Sequence, residues 1–135
     1  RILGLAASIP HTQRLDAPDA TAKKRSPLCG STVTVDLSVS DGKITAFGQD
    51  VKACALGQAA ASVIGSEVIG QNGDTIQRGR DQLRAMLLDN GPVPAAPFDG
   101  LEVLLPARDF KNRHASILLA FEATLDALSQ IKTDA

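Results

Sequence analysis

Apolar and polar residues alternate most cleanly between positions 32 and 51. Val33, Val35, Leu37 and Val39 alternate with Thr32, Thr34, Asp36, Ser38 and Ser40. A period of two in a β-branched stretch predicts a strand with one buried and one wet face. Asp41-Gly42 follows as a hairpin signal, because glycine reaches positive φ without steric cost. Lys43 to Val51 then returns as an antiparallel partner, turning Ile44, Ala46 and Val51 inward. Upstream, Thr21 to Arg25 is read as a first strand or extended arm.

Helical spacing dominates elsewhere. Ile2 to Ile9 reads as a short amphipathic helix ended by Pro10, and 10–19 as a loop punctuated by Pro10 and Pro18. From Ala55 to Ile69 the chain is rich in alanine, which predicts a helix packed closely through small side chains. Gly65 and Gly70 mark its later turns and end. Thr75 to Leu88 forms a second helix, started by an Asp or Thr cap and stopped at Asn90-Gly91-Pro92. Leu101 to Leu105 fits either helix or strand, and 109–131 contains a final helix. The fold class is therefore α+β: a small three-stranded antiparallel sheet packed against several helices, in one domain spanning 1–135.

Charge and composition remove several functions. A net charge of −1 supplies no general attraction to nucleic acid or anionic lipid. With no Trp or Tyr and only four Phe, a base-stacking platform is excluded. No apolar run approaches the ~20 residues of a membrane span. Ile2 to Ile9 lacks a basic flank and a cleavage site, so it is expected to be a helix and not a signal peptide. Two cysteines define no disulfide framework, which makes a reducing cytoplasm the expected location.

Those two cysteines hold the candidate chemistry. Cys29 sits in Leu28-Cys29-Gly30-Ser31, just before a predicted strand. Cys54 lies between a strand and a helix start, where unpaired backbone N–H groups stabilise a thiolate. Two thiolates on neighbouring loop ends form a soft ligand pair suited to zinc or iron–sulfur chemistry. The competing reading is two buried, inert thiols. Ser31 and Ser116 lie in no nucleophile elbow and have no base beside them, so a hydrolase is excluded.

These segments resemble the U-type iron–sulfur cluster assembly scaffolds: IscU, SufU and the N-terminal domain of NifU. Leu28-Cys29-Gly30-Ser31 is similar to the family's Cys-Gly-Asp element, and Val39 to Ile44 to its hairpin. Cys54-Ala55-Leu56-Gly57-Gln58-Ala59 resembles the second cysteine and its small-residue helix. His114-Ala115-Ser116-Ile117-Leu118 is similar to the His-Cys-Ser-Ile-Leu run of the IscU branch. Two positions differ. Ser31 stands for the family aspartate, and the third cysteine is replaced by Ala115, or by Ser116 if the last helix is aligned one residue later. Arg108 to Arg113 also lacks the Leu-Pro-Pro-Val-Lys chaperone segment of the IscU branch.

The resemblance implies a SufE/NifU-like fold and a non-enzymatic scaffold that carries iron or a transient [2Fe–2S] cluster to acceptor apoproteins. It implies Cys29, Cys54 and His114 as ligands, with zinc a further candidate metal and a cysteine desulfurase as sulfur donor. Lys23-Lys24-Arg25, Arg78-Gly79-Arg80 and Lys111-Asn112-Arg113 are candidate docking groups for an acidic partner surface. Two alternatives stay open: a persulfide-accepting accessory of the desulfurase, or an adaptor that keeps the fold without metal. The oligomeric state is not legible.

Overall fold

The computed structural model describes residues 1–28 and 30–132. Three strands, β1 (Ala20–Arg25), β2 (Thr32–Ser40) and β3 (Lys43–Lys52), form an antiparallel sheet in the order β1-β2-β3. Helix α1 (Ile2–Ala6) precedes the sheet; α2 (Ala55–Glu67), α3 (Gly73–Leu88) and α4 (His114–Lys132) follow it. Short 3-10 segments at Asp99–Asp109 and Lys111–Arg113 connect α3 to α4. The expected α+β architecture is the observed one.

Val33, Val35 and Leu37 turn inward beneath α4, and all three are buried. Asp41 and Gly42 both take positive φ, 54° and 76°, as a two-residue hairpin turn with the twist of its strands requires. One expectation on β3 fails for a definite reason. The register shifts at Ser38/Val39, so Val39 faces Ile44 and Ser38 faces Ala46. Thr45 is the extra residue of a β-bulge, which reverses the alternation beyond it. Phe47, Gln49 and Val51 therefore join Ile44 on the core face, while Ala46 falls on the opposite face.

That opposite face is covered by the 10–19 loop. Asp36, at a position the alternation marks as wet, is fully buried there. Its carboxylate accepts from both Nε and Nη2 of Arg14, from Thr21 Oγ1 at 2.6 Å and from Leu15 N at 3.1 Å. The loop passes so close to β3 that a Cβ on Gly48 would collide with the carbonyl oxygen of Gln13.

The helices meet around Phe98 and Phe121, packed edge to face with centroids 5.1 Å apart. Gly79 on α3 leaves room for both rings, since a Cβ there would lie 2.7 Å from Phe98 Cδ2. Helix α3 starts earlier than expected: Asn72, not an Asp or Thr, is its N-cap, and its Oδ1 accepts from Thr75 N at 2.9 Å. The ambiguous 101–105 run lies in the 3-10 segment, with Leu101 and Leu104 on one buried side three residues apart. Arg108 ties this segment to the end of α3 by donating to Met86 O at 2.7 Å and Gly91 O at 2.6 Å.

The guanidinium of Arg14 holds the Asp36 carboxyl below its ordinary value; burial opposes this, while Thr21 and Leu15 N–H assist it. A carboxyl lowered on folding stabilises above its unfolded value of 3.8, and that contribution is lost as pH falls through the folded value. Asp36→Ala is expected to destabilise the fold by about 2 kcal/mol at neutral pH, because it removes the charge-assisted pair with Arg14 and the hydrogen bonds from Thr21 Oγ1 and Leu15 N. Urea titrations of both proteins should show this gap narrowing as the pH drops below 3.8.

Candidate functional site

Cys54 is the N-cap of α2: its backbone is extended and its carbonyl accepts from Gln58 N at 2.9 Å. This places the half-buried thiol at a helix end whose first amides lack backbone partners. Ser116, in the first turn of α4, brings its Oγ to 3.6 Å from Cys54 Sγ. The same hydroxyl donates to Ser31 Oγ at 3.0 Å, and both serines are buried. Three segments far apart in sequence therefore converge on one short polar chain. Ser116 has a single proton. While it donates to Ser31, the thiol donates to Ser116; once the thiol ionises, that hydroxyl can turn and donate to sulfur.

The convergence requires Gly57. A Cβ at this position would lie 2.6 Å from Ser116 Oγ and 3.0 Å from the Ala53 Cβ. Burial pushes the Cys54 thiol up, but the Gly57 N–H, the Ser116 hydroxyl, the Leu56 N–H and the Arg113 charge together hold it below its ordinary value of 9.0. The resulting larger thiolate fraction makes Cys54 a better soft ligand and a more reactive nucleophile near neutral pH.

His114 opens α4 and is only 4% exposed. Its Nε2 lies 2.9 Å from Ala107 O. A carbonyl only accepts, so Nε2 holds a proton, and in the neutral imidazole Nδ1 presents its lone pair. That Nδ1 is buried and has no hydrogen-bond partner among the described residues. An orphaned basic nitrogen suits an imidazole that ligates through Nδ1 while its other nitrogen is fixed by a carbonyl.

Cys29 lies outside the described residues. Its flanks are tied together: Ser26 N donates to Ser31 O at 2.8 Å, and Gly30 N donates to Ser26 O at 2.9 Å, with Gly30 at φ 71°. Among the described residues, no group of three His, Cys, Asp or Glu side chains comes together. Of the two residues considered for the third cysteine, Ser116 reaches the Cys54 thiol while Ala115 is exposed. The sequence marks Ser31 and Ser116 as replacements and as rejected nucleophiles and Arg113 as part of a basic docking group, but does not mark Gly57 or the effect of Arg113 on the Cys54 thiol. A glycine in the first turn of a predicted helix, in Ala55-Leu56-Gly57-Gln58, was the available signal for a close helix approach.

No family model matches the chain, and no curated protein matches it either. Solved structures do. The nitrogen-fixing NifU-like protein (N-terminal) from Brucella abortus is 46% identical, with a TM-score of 0.96, covering 99% of this chain and 93% of its own. The chain belongs to the NifU-like N-terminal family, one of the U-type scaffold families. A second structure, from thermophilic Fervidobacterium islandicum AW-1, is described as a putative iron–sulfur cluster assembly scaffold for the SUF system. It is 16% identical with a TM-score of 0.84, covering 94% of this chain and 93% of its own, a likeness in fold alone. The NifU-like fold thus accounts for the order of hairpin, small-residue helix and long final helix.

Replacing Ser116 with Ala in a Cys29→Ala background should move the Cys54 thiol back up toward its ordinary value. The pH dependence of iodoacetamide alkylation measures this directly. An unshifted profile would show that the hydroxyl does not stabilise the thiolate.

Proposed function

We propose that this protein is an iron–sulfur cluster assembly scaffold, with Cys29, Cys54 and His114 as the residues that hold its cargo. The observation that carries the reading is 46% identity over 99% of the chain to a NifU-like N-terminal protein. The scaffold description of the Fervidobacterium islandicum structure points the same way. The cargo is iron or a [2Fe–2S] unit, with zinc able to use the same donors. Thiolates and an imidazole Nδ1 fit such cargo, and the buried Nδ1 of His114, which has no partner among the described residues, is the feature that a purely structural histidine would not need. Three protein ligands leave a coordination position open, which suits a carrier that must release what it holds. A cysteine desulfurase would supply sulfur, acceptor apoproteins would take the product, and a reducing compartment would keep both thiols free. The protein itself is no enzyme in this reading.

The lowered Cys54 thiol favours one second reading, a sulfur acceptor. There the Cys54 thiolate attacks the terminal sulfur of a desulfurase persulfide. A new S–S bond forms at Cys54, the donor S–S bond breaks, and the desulfurase leaves as its thiolate.

Anaerobic reconstitution with iron, sulfide and reductant, read by visible absorption and bound-metal analysis, separates the two. The scaffold reading predicts a coloured product that Cys29→Ala and Cys54→Ala each abolish. His114→Gln is the informative third variant, because its side-chain amide can still donate to Ala107 O while the ring lone pair is gone. It should fold normally and bind iron about tenfold or more weakly. A colourless native protein that nonetheless accepts persulfide at Cys54 would replace the scaffold with the sulfur acceptor.

A further inference from the structure

A groove of about 320 Å³ runs beside the candidate site, between β1, α3 and the first turns of α4. Lys24 and Arg25 line it from β1, and Arg80 and Arg84 line it from α3. Glu122 is the single carboxylate among its walls. Four cations against one anion, on a chain whose net charge is −1, amount to a local segregation of positive charge.

The cations are not equivalent. Arg80 is compensated by Glu122 at 2.9 Å and by Asp81 at 3.0 Å, and Lys24 lies 3.8 Å from Asp126. Arg25 and Arg84 are exposed and have no ion pair among the described residues. Two uncompensated guanidinium forks therefore face one concave surface, each able to take a carboxylate through two parallel hydrogen bonds. Position matters as much as charge. Ala115, the exposed neighbour of His114 and Ser116, lines the groove, as do Ser26 and Pro27 at the entrance to the Cys29 loop. Whatever fills this groove is held against Ser26, Pro27 and the first turn of α4.

We propose that the groove receives an acidic segment of a partner protein, with its carboxylates on Arg25 and Arg84. The inference rests on the function proposed above for why a partner docks here, and on the groove's own charge for the binding itself. It joins Lys24 and Arg25 of one basic group of the sequence to Arg80 of another on one surface, and adds Arg84, which no basic cluster marked. It leaves Lys111-Asn112-Arg113 out.

Fluorescence anisotropy with a fluorescein-labelled octaglutamate peptide tests it. The native protein should bind at low salt and lose most of that affinity by about 0.3 M salt, where charges are screened over a few ångströms. R25E/R84E should bind roughly tenfold more weakly or worse. K43E/R78E, which changes the net charge equally outside the groove, should stay within about twofold. Circular dichroism establishes folding, and R25Q/R84Q replaces the charge reversal if that variant does not fold. No binding by the native protein, or equal losses in the two double variants, overturns the proposal. R25E/R84E should take up iron and sulfide as the native chain does; loss of that uptake would also overturn the groove as a separate docking surface. A native protein that binds octaglutamate but takes no iron overturns the scaffold reading and leaves the groove standing.

Discussion

The site depends on the close approach of α2 and α4 at Gly57. A Cβ there would lie 2.6 Å from Ser116 Oγ and 3.2 Å from Ser116 O, so a side chain at this position would drive the hydroxyl away from the thiol and crowd the α4 backbone. The approach brings the α4 hydroxyl to the thiol at the N-terminus of α2, and through it to Ser31 at the entrance to β2. A helix end, a strand entrance and a helix start are thereby held in register by one buried polar chain. Buried polar groups are costly unless satisfied, which makes this chain a determinant of how the three elements sit.

The same geometry explains why Cys54 differs from an inert core thiol. Burial alone would raise it, and the opposing groups all come from the elements that converge here: two amides of α2, the Ser116 hydroxyl and the Arg113 charge preceding α4. His114 shares the opening of α4 with Ser116 and uses one nitrogen on the Ala107 carbonyl, leaving the other buried and without a partner among the described residues. Family membership supplies the context in which a reactive thiol and an unpaired imidazole nitrogen acquire a use.

Much of the fold was legible in the chain. The alternation of Val33, Val35 and Leu37 sets the central strand, Asp41-Gly42 sets its turn, and the alanines after Cys54 set a tightly packed helix. What escaped depended on partners distant in sequence. Asp36 obeys the wet half of the alternation yet is buried, because Arg14 arrives from the 10–19 loop to neutralise it. The bulge at Thr45 adds one residue to β3, and no local pattern announces it. The 3-10 segment around Leu101 and Leu104 is too short for periodicity to separate helix from strand. At the site, Cys54 and His114 stood out by residue type. The roles of Ser31 and Ser116 did not, since only the fold shows that their hydroxyls touch.

In the proposed function the two thiols and the Nδ1 of His114 serve one metal-bearing site. Zinc-edge X-ray absorption on the zinc-loaded protein tests it most directly. Two sulfur scatterers near ~2.3 Å together with nitrogen near ~2.0 Å are expected, one nitrogen contribution being lost in His114→Gln. A shell of oxygen and nitrogen alone, or a spectrum unchanged in Cys54→Ser, would contradict it.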